Sequence, residues 1–229
     1  FKINTIPKSL PATTLKKKKL TIGFDPKLHT QKYLNYFFLK TQCTLLPIRE
    51  NLIDKIWKNK KNEKSKKFFA IPQKDVGRSY NFKINILIEK LKNKKVDFQF
   101  VSSGENIAWL LNIRGSDSKF SPLINAYLTI SLDKRINFFC DLKKIDHSFK
   151  KRFNNISFID IKFLGQYLSK ISGKRVMIDA STCSFYFENI LKQNNKIINF
   201  IDPIYLLKSI KSKIELKNTI KSHISDGAA

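Results

Sequence analysis

Strand-like and helix-like patterns alternate between residues 79 and 201, and this order restricts the fold more than any other feature of the sequence. Short runs of β-branched and aromatic residues are typical of buried strands, whereas apolar residues every three or four positions are typical of helices with one buried face. The predicted strands cover residues 96–102, 124–131, 135–141, 157–163, 175–179 and 197–201, of which the second and third form a hairpin. We therefore predict an α/β unit, in which one sheet has helices packed against it.

The helices predicted for this region follow from the same spacing. The first begins near Ser79 and ends in the polar residues 92–95, and its apolar positions are Ile84, Leu87, Ile88 and Leu91. Further helices, the first of them a short helix or turn, are predicted at residues 105–112, 164–171, 182–191 and 213–223. Gly173 can terminate one of them because glycine tolerates the left-handed conformation that commonly ends a helix.

Residues 1–60 contain a second, shorter alternation. A β-prone run at residues 19–24 stops at Asp25 and Pro26, because proline has no amide hydrogen to donate to a sheet. Thr30 can then cap a helix, a second strand is predicted at residues 44–48, and Asn51 can cap another helix. This order indicates part of another α/β layer.

The two regions are separated by a lysine-rich segment. Residues 58–67 hold six lysines and two asparagines, with no large apolar residue and no periodicity. Such a segment has nothing to contribute to a core and is expected to be a linker or a long solvated loop.

The formal net charge of +26 raises the question of an anionic partner such as nucleic acid. Only six residues are arginine, although the planar guanidinium is the group best suited to recognising bases and phosphates. Lysines are spread over the whole chain, with two runs at residues 16–19 and 58–67 that could form a basic patch. We interpret the charge as a compositional bias on solvated surfaces, and nucleic-acid binding is not expected.

The sequence offers no pattern for a metal site or for a membrane segment. Cys43, Cys140 and Cys183 lie far apart without metal-ligand spacing, and the three histidines are isolated, so we expect buried thiols in a reducing compartment. No run of about 18 apolar residues occurs, and the first residues do not resemble a signal peptide. We expect a cytoplasmic protein whose natural beginning is missing, because the first residue is Phe1.

Four separated segments resemble, in the same order, those of the three-domain Xaa-Pro aminopeptidases, the aminopeptidase P family. Residues 47–57 read PIRENLIDKIW, similar to the family pattern P-V-x-E-N-L-[IV]-D-x-I-W, and residues 107–117 read IAWLLNIRGSD, similar to I-A-W-L-[LF]-N-[IL]-R-G-S-D. The segment GFDP with LHT at residues 23–30 resembles the close of the first domain. Residues 208–211 and 223–229 resemble K-x-x-K and A-H-x-x-D-G-A-A at the start of the catalytic domain.

The resemblance implies a creatinase N-terminal-type mixed β-sheet flanked by helices. It also implies that residues 1–60 are the end of a first creatinase-type N-terminal domain and residues 61–78 a lysine-rich linker. Residues 79–201 would be a second such domain, and residues 202–229 the first helix of a catalytic "pita-bread" domain that this chain lacks. The lysine-rich linker departs from relatives, which often have proline there.

The activity implied by the resemblance is removal of an N-terminal residue that precedes proline. In the family two manganese or zinc ions, bound by two Asp, one His and two Glu of the catalytic domain, activate water and polarise the scissile carbonyl. The implied partners are that catalytic domain, a second copy in a homodimer, and proline-containing peptides. This chain is therefore expected to bind no metal, to have no catalytic residue and to serve substrate access and dimerisation.

The candidate substrate-cleft or interface residues are Arg114, Ser116 and Asp117, which follow an apolar segment and surround a glycine. They could face the catalytic domain or a dimer partner. Alternatively, Arg114 and Asp117 could pair with each other or satisfy loop carbonyls. Trp57 and Trp109 lie in helical apolar patterns, which favours a place in the core over stacking on a ligand.

Two other classes of function remain open from the sequence. A shortened gene product could act as a peptide- or partner-binding module that uses the same sheet. The lysine runs could instead support an electrostatic association with nucleic acid, whose affinity would fall steeply with salt.

Overall fold

The computed structural model describes residues 11–15, 18–58 and 66–228. The chain divides into two compact units, the first containing residues 1–63 and 180–189 and the second containing residues 64–179 and 190–229. Most of the lysine-rich residues 58–67, two of the lysines at 16–19, and predicted linker residues 61–65 lie outside the described parts. No described helix is long and apolar enough to cross a bilayer.

The first unit is built around a short parallel pair of strands joined through a helix. Its helices are α1 (Pro11–Leu15), α2 (Gln31–Phe38) and α3 (Leu52–Ile56), and its strands are β1 (Thr21–Phe24) and β2 (Thr44–Pro47). The predicted caps are confirmed: the side chain of Thr30 accepts from the amide of Tyr33, and that of Asn51 accepts from the amide of Ile53. Residues 180–189 join this unit, where the amide of Phe185 donates to the carbonyl of His29 at 2.7 Å.

The second unit contains a mixed six-stranded sheet in the order β10-β9-β4-β6-β7-β8. Its strands are β4 (Phe98–Val101), β6 (Tyr127–Ser131), β7 (Ile136–Cys140), β8 (Ile156–Asp160), β9 (Arg175–Ile178) and β10 (Lys196–Asn199). The first three strands of this order, β10, β9 and β4, run parallel to one another. Strand β6 is antiparallel to both β4 and β7, and β8 is parallel to β7. A separate antiparallel pair consists of β3 (Phe69–Ala70) and β5 (Ile113–Arg114).

Helices flank this sheet and complete the predicted α/β architecture. They are α4 (Gln73–Val76), α5 (Tyr80–Asn93), α6 (Gly104–Leu111), α7 (His147–Arg152), α8 (Leu164–Ser169), α10 (Pro203–Ser209) and α11 (Lys213–Gly227), while α9 (Phe185–Asn194) is divided between the two units. Leu87 and Leu91 of α5 and Leu110 of α6 are fully buried against strand residues such as Ile130 and Phe138. The prediction of a mixed sheet flanked by helices is confirmed.

Three local features differ from the sequence-based expectation. Within the segment predicted as a linker, Phe68 is buried in the core of the second unit, and β3 and α4 follow it. Helix α10 was not among the predicted helices, and Asp202 and Pro203 form its N-cap and first turn. Helix α9 begins at Phe185, three residues later than the start at residue 182 that the sequence predicts.

The C-terminal end of the described chain consists of α10 and α11, with only residues 210–212 between them. Ser212 caps α11, accepting from the amide of Glu215 while the Glu215 side chain accepts from the amide of Ser212. None of the residues of α11 is buried, and Leu216, Ile220 and Ile224 are 51%, 61% and 68% exposed. These three apolar residues, spaced four apart, form a continuous line that we name the α11 stripe.

Candidate functional site

The candidate residues lie where α6 ends and β5 begins. Helix α6 starts at Gly104, where any side chain would meet the carbonyl oxygen of Ile124, since a Cβ would lie 2.2 Å from that atom. The helix ends at Asn112, whose φ of 57° and ψ of 41° place it in the left-handed conformation typical of a helix end. The chain can therefore turn at once into β5 and bring Arg114 back beneath the helix.

Arg114 is half-buried and is held by main-chain oxygens. One terminal guanidinium nitrogen donates to the carbonyl of Ala108 at 3.2 Å and to that of Ile113 at 2.8 Å. Burial lowers the pKa of Arg114, and the negative charge of Glu215 partly offsets this effect. Arg114 thus satisfies carbonyls of α6 and β5, whereas one of the two interpretations had placed it against loop carbonyls, and its charge faces α11.

Asp117 has other partners and is not paired with Arg114. Its Oδ1 atom forms an ion pair of 2.6 Å with Lys144, in which both side chains are largely buried, and its Oδ2 atom accepts from the amide of Asn125 at 2.7 Å. Ser116, which lies between Arg114 and Asp117 in the sequence, is exposed. Of the three candidates, Arg114 is therefore directed toward α11, Asp117 fixes the following loop, and Ser116 is exposed.

A buried lysine lies beside Arg114 and was not among the predicted site residues. Lys83 of α5 is 3% exposed, and its ammonium group donates to Asn112 Oδ1 at 2.6 Å and to the carbonyl of Trp109 at 2.8 Å. The ammonium also lies 3.9 Å from the centre of the Trp109 ring, within the range of a cation–π interaction. Burial lowers the pKa of Lys83 to about 8, against the opposing effect of Glu215.

Trp109 connects this lysine to the last helix. Its ring packs on the edge of the core, and its indole Nε1 donates to Glu215 Oε1 at 3.2 Å. Burial acts to raise the pKa of Glu215, but hydrogen bonds from Ser212 and Trp109 and the charge of Lys83 outweigh it, so the pKa lies below its usual value. Trp57, by contrast, is 55% exposed, and its predicted place in the core is wrong.

A polar cleft of about 400 Å³ lies between α11 and the rest of the second unit. Its lining combines residues of the body of the unit and of the segment before α11 with polar residues of α11 itself: Asp75, Trp109, Arg114, Lys211, Glu215, Asn218, Thr219, Ser222, His223 and Asp226. Helix α11 thus turns its polar side toward the unit and its stripe away from it. An amphipathic helix in a finished domain normally has the opposite orientation.

The described residues do not fit a metal centre. Within residues 11–15, 18–58 and 66–228, no three His, Cys, Asp or Glu side chains lie close enough together to hold an ion. The cleft also combines cationic and anionic groups, a lining suited to orienting polar groups rather than to metal ligation. No catalytic step through a metal is therefore assigned to these residues.

Sequence reasoning identified Arg114 and missed Lys83, Asn112 and Glu215. A signal for Lys83 was present, since it lies four residues before Leu87 and hence on the buried side of the same helix. The contact between Trp109 and Glu215 joins positions 106 residues apart, and no local pattern indicates it.

Comparison with known proteins places these observations in a family. Residues 59–215 match the family described as Creatinase/Prolidase N-terminal domain. The chain is 32% identical over 219 residues to the Xaa-Pro aminopeptidase ApepP of Drosophila melanogaster, covering 91% of this chain and 35% of that protein. It is 30% identical over 227 residues to Xaa-Pro aminopeptidase 1 of Dictyostelium discoideum, covering 93% of this chain and 36% of that protein.

A solved structure shares the fold over nearly the whole chain. The X-prolyl aminopeptidase of Caenorhabditis elegans, described as a cytosolic enzyme with a di-nuclear active site, matches with a TM-score of 0.86 and 24% identity. The match covers 98% of this chain and 39% of the nematode protein. The chain therefore spans little more than a third of the length of these relatives.

Proposed function

Because the chain belongs to the creatinase/prolidase N-terminal domain family, we propose that it is the non-catalytic N-terminal and middle region of a metal-dependent Xaa-Pro aminopeptidase. The observation that carries this proposal is the extent of the similarity, which covers 91% of this chain but 35% of the Drosophila enzyme. The parent enzyme would remove an N-terminal residue that precedes proline, using two manganese or zinc ions. Those ions would be bound outside the 229 residues of this chain.

The α11 stripe supports a role as a docking scaffold. Leu216, Ile220 and Ile224 are all more than half exposed, and leaving such a line in water is unfavourable compared with covering it by a partner surface. The partner we propose is the metal-binding part of the parent enzyme. The cleft beneath the helix, including Arg114, would then lie close to that partner and could help to shape substrate access.

The proposed organisation follows the sequence motifs. Residues 1–60 would complete a first creatinase-type domain, residues 61–78 would lead into the second domain at 79–201, and residues 202–229 would begin the catalytic region. Ser116 and Asp117 would contribute to an interface with the catalytic domain or with a second copy in a homodimer. The cytoplasm is the proposed compartment, in keeping with the description of the nematode relative as cytosolic.

The test has two parts. First, the purified chain is incubated with manganese or zinc and with a tripeptide that has proline in second position. We expect no release of the first residue, and metal-dependent release by the chain alone would contradict the assignment. Second, the chain is co-expressed with the part of the Drosophila relative that it does not match, and both association and peptide cleavage are measured.

Association should depend on the α11 stripe. We expect Ile220→Asp to weaken co-purification strongly, because a charge would replace an apolar contact at the centre of the line. Lys221→Asp is the matched control, since it is the adjacent exposed position on the same helix but points away from the stripe. Equal binding by both variants, or no binding by the unmodified chain, would overturn the scaffold role.

A further inference from the structure

Helix α11 is held in place by polar contacts rather than by burial of apolar side chains. None of its residues is buried, and the linker of residues 210–212 before it is short. Two side-chain hydrogen bonds among the described residues join it to the body of the second unit: Trp109 Nε1 to Glu215, and Asn218 Nδ2 to the carbonyl of Asp75 at 3.1 Å. The direction of the helix must therefore depend on a few specific bonds.

Glu215 has two roles in this attachment. Its Oε2 atom accepts from the amide of Ser212 at 2.7 Å and so caps the helix, while its Oε1 atom accepts from Trp109. The same carboxylate thus stabilises the first turn and joins that turn to α6. A shift of the helix start away from Trp109 would break a hydrogen bond to a charged acceptor, a stronger type than a neutral pair.

Trp109 is itself fixed from the opposite side. Lys83 donates to its carbonyl oxygen and lies over its ring, and Lys83 is anchored in turn by Asn112. The indole therefore has little freedom to follow Glu215 if the helix moves. Lys83, Trp109 and Glu215 form a continuous series of contacts from the core to the first turn of α11.

The backbone beside this series allows the close approach. Gly77, which follows α4, has a φ of 71°, and a Cβ at this position would lie 2.5 Å from the hydroxyl oxygen of Ser212. A side chain at position 77 would therefore push away the residue that caps α11. Both the glycine and the hydrogen-bonded series act at the same turn of the helix.

We propose that Trp109 is a positioning residue whose indole N–H, donated to Glu215, fixes the direction in which α11 leaves the second unit. Its effect is to keep the polar side of the helix over the cleft and the α11 stripe outward. The second half of this inference, that the orientation serves docking of the metal-binding part, rests on the proposed function. The first half concerns this chain alone.

The direction of α11 can be measured by pulsed electron paramagnetic resonance on the full chain. Spin labels are attached to Ser225→Cys on α11 and Lys150→Cys on α7, both exposed, in a Cys43→Ser background that leaves only buried native thiols. The labelled chain with native Trp109 and Glu215 should give one narrow distribution of distances between the two labels. Trp109→Phe, which keeps an aromatic ring but removes the N–H, should roughly double the width of that distribution by adding further helix orientations.

Two further variants separate positioning from general loss of structure. Glu215→Gln retains one acceptor oxygen, which can accept from Trp109 or from the Ser212 amide but not from both. Its distribution should be narrower than that of Glu215→Ala, which retains neither bond. Trp57→Phe makes the same substitution at an exposed tryptophan of the first unit and should leave the distribution unchanged. If Trp109→Phe does not fold, the comparison of the two Glu215 variants decides the question.

The outcomes distinguish the two halves of the inference. A distance distribution that stays narrow in Trp109→Phe, or that is equally wide in both Glu215 variants, overturns the positioning role of Trp109. This result is independent of the proposed function. If the distribution broadens as expected, binding to the unmatched part of the Drosophila relative should weaken roughly tenfold, as expected for loss of one charge-assisted hydrogen bond. A broadened distribution with unchanged binding overturns the link to docking and leaves the proposed function to its own test.

Discussion

The side-chain amide of Asn106 donates a hydrogen bond of 2.7 Å to the carboxylate of Asp202, which lies 96 residues further along the chain. The same buried carboxylate accepts from the amide of Gln99 at 2.9 Å and from the main-chain amide of Ile204 at 3.0 Å. One side chain therefore joins β4, α6 and the first turn of α10. This junction sets where the C-terminal helices begin.

Replacing Asp202 by alanine should destabilise the second unit by about 2 to 4 kcal/mol, because three buried donors would lose their acceptor. Asp202→Asn should cost less, on the order of 1 kcal/mol. The new amide can accept from Asn106 and donate to Gln99 Oε1, an atom with no partner among the described residues, if the Gln99 amide flips. Only the Ile204 amide, which donated to the oxygen that is replaced, then loses its acceptor. Urea unfolding followed by circular dichroism measures both variants, and equal losses would contradict the proposed role of the three donors.

The pH dependence of Asp202→Asn provides a second, independent prediction. Burial raises the pKa of Asp202 above its ordinary value of 3.8, against the opposing hydrogen bonds from Ile204, Asn106 and Gln99. The folded protein then binds more protons than the unfolded chain just above that value, so its free energy of unfolding falls as pH rises through this range. The asparagine variant does not lose stability in this way. The difference in free energy of unfolding between the unmodified protein and the variant should therefore shrink as pH rises. A deficit that is constant with pH would show that the carboxyl titrates normally.

The core of the second unit could be predicted from the sequence because it depends on local periodicity. The spacing of Leu87 and Leu91 identified α5 and its buried side, and alternation of such helices with apolar runs gave the α/β class. The same rule failed at Trp57, because periodicity shows which side of a helix is apolar but not whether anything covers it. Helix α3 has that pattern and contains no buried residue.

The polar junctions could not be predicted because each depends on residues that are distant in sequence. Asp202 followed by proline is compatible with the end of one element or with the start of a helix, and only the donors from Gln99 and Asn106 show what the carboxylate does. Likewise, Arg114 was identified by its motif, whereas its surroundings of Lys83 and Glu215 come from α5 and α11. A buried lysine is rare enough that sequence rules assign such a residue to solvent.

Two of the three thiols, those of Cys43 and Cys140, should differ sharply in reactivity. Cys140 is fully buried in β7, and burial, with a smaller effect of Asp141, raises its pKa to about 12, so almost no thiolate exists near neutral pH. Cys43 is only half-buried and belongs to the first unit. We expect Ellman's reagent to modify Cys43 quickly and Cys140 slower by roughly a thousandfold or more, because the latter requires opening of the sheet. Cys43→Ser should remove the fast phase, and rapid modification of Cys140 in that variant would mean that β7 is not stably packed.

Lys83 should give the second unit an unusual gain of stability in mild alkali. Its pKa is about 8 in the folded protein and 10.5 for an ordinary lysine, so between these values the unfolded chain binds more protons than the folded one. The free energy of unfolding should therefore rise with pH across this window, by up to about 3 kcal/mol from this residue alone.

Lys83→Met lacks the titrating group, and other groups contribute equally to both proteins. The difference between the two unfolding free energies, measured by urea titration from neutral pH to the upper end of the window, isolates the lysine. Parallel curves would mean that Lys83 is solvated, and its anchoring of Trp109 would then have to be abandoned.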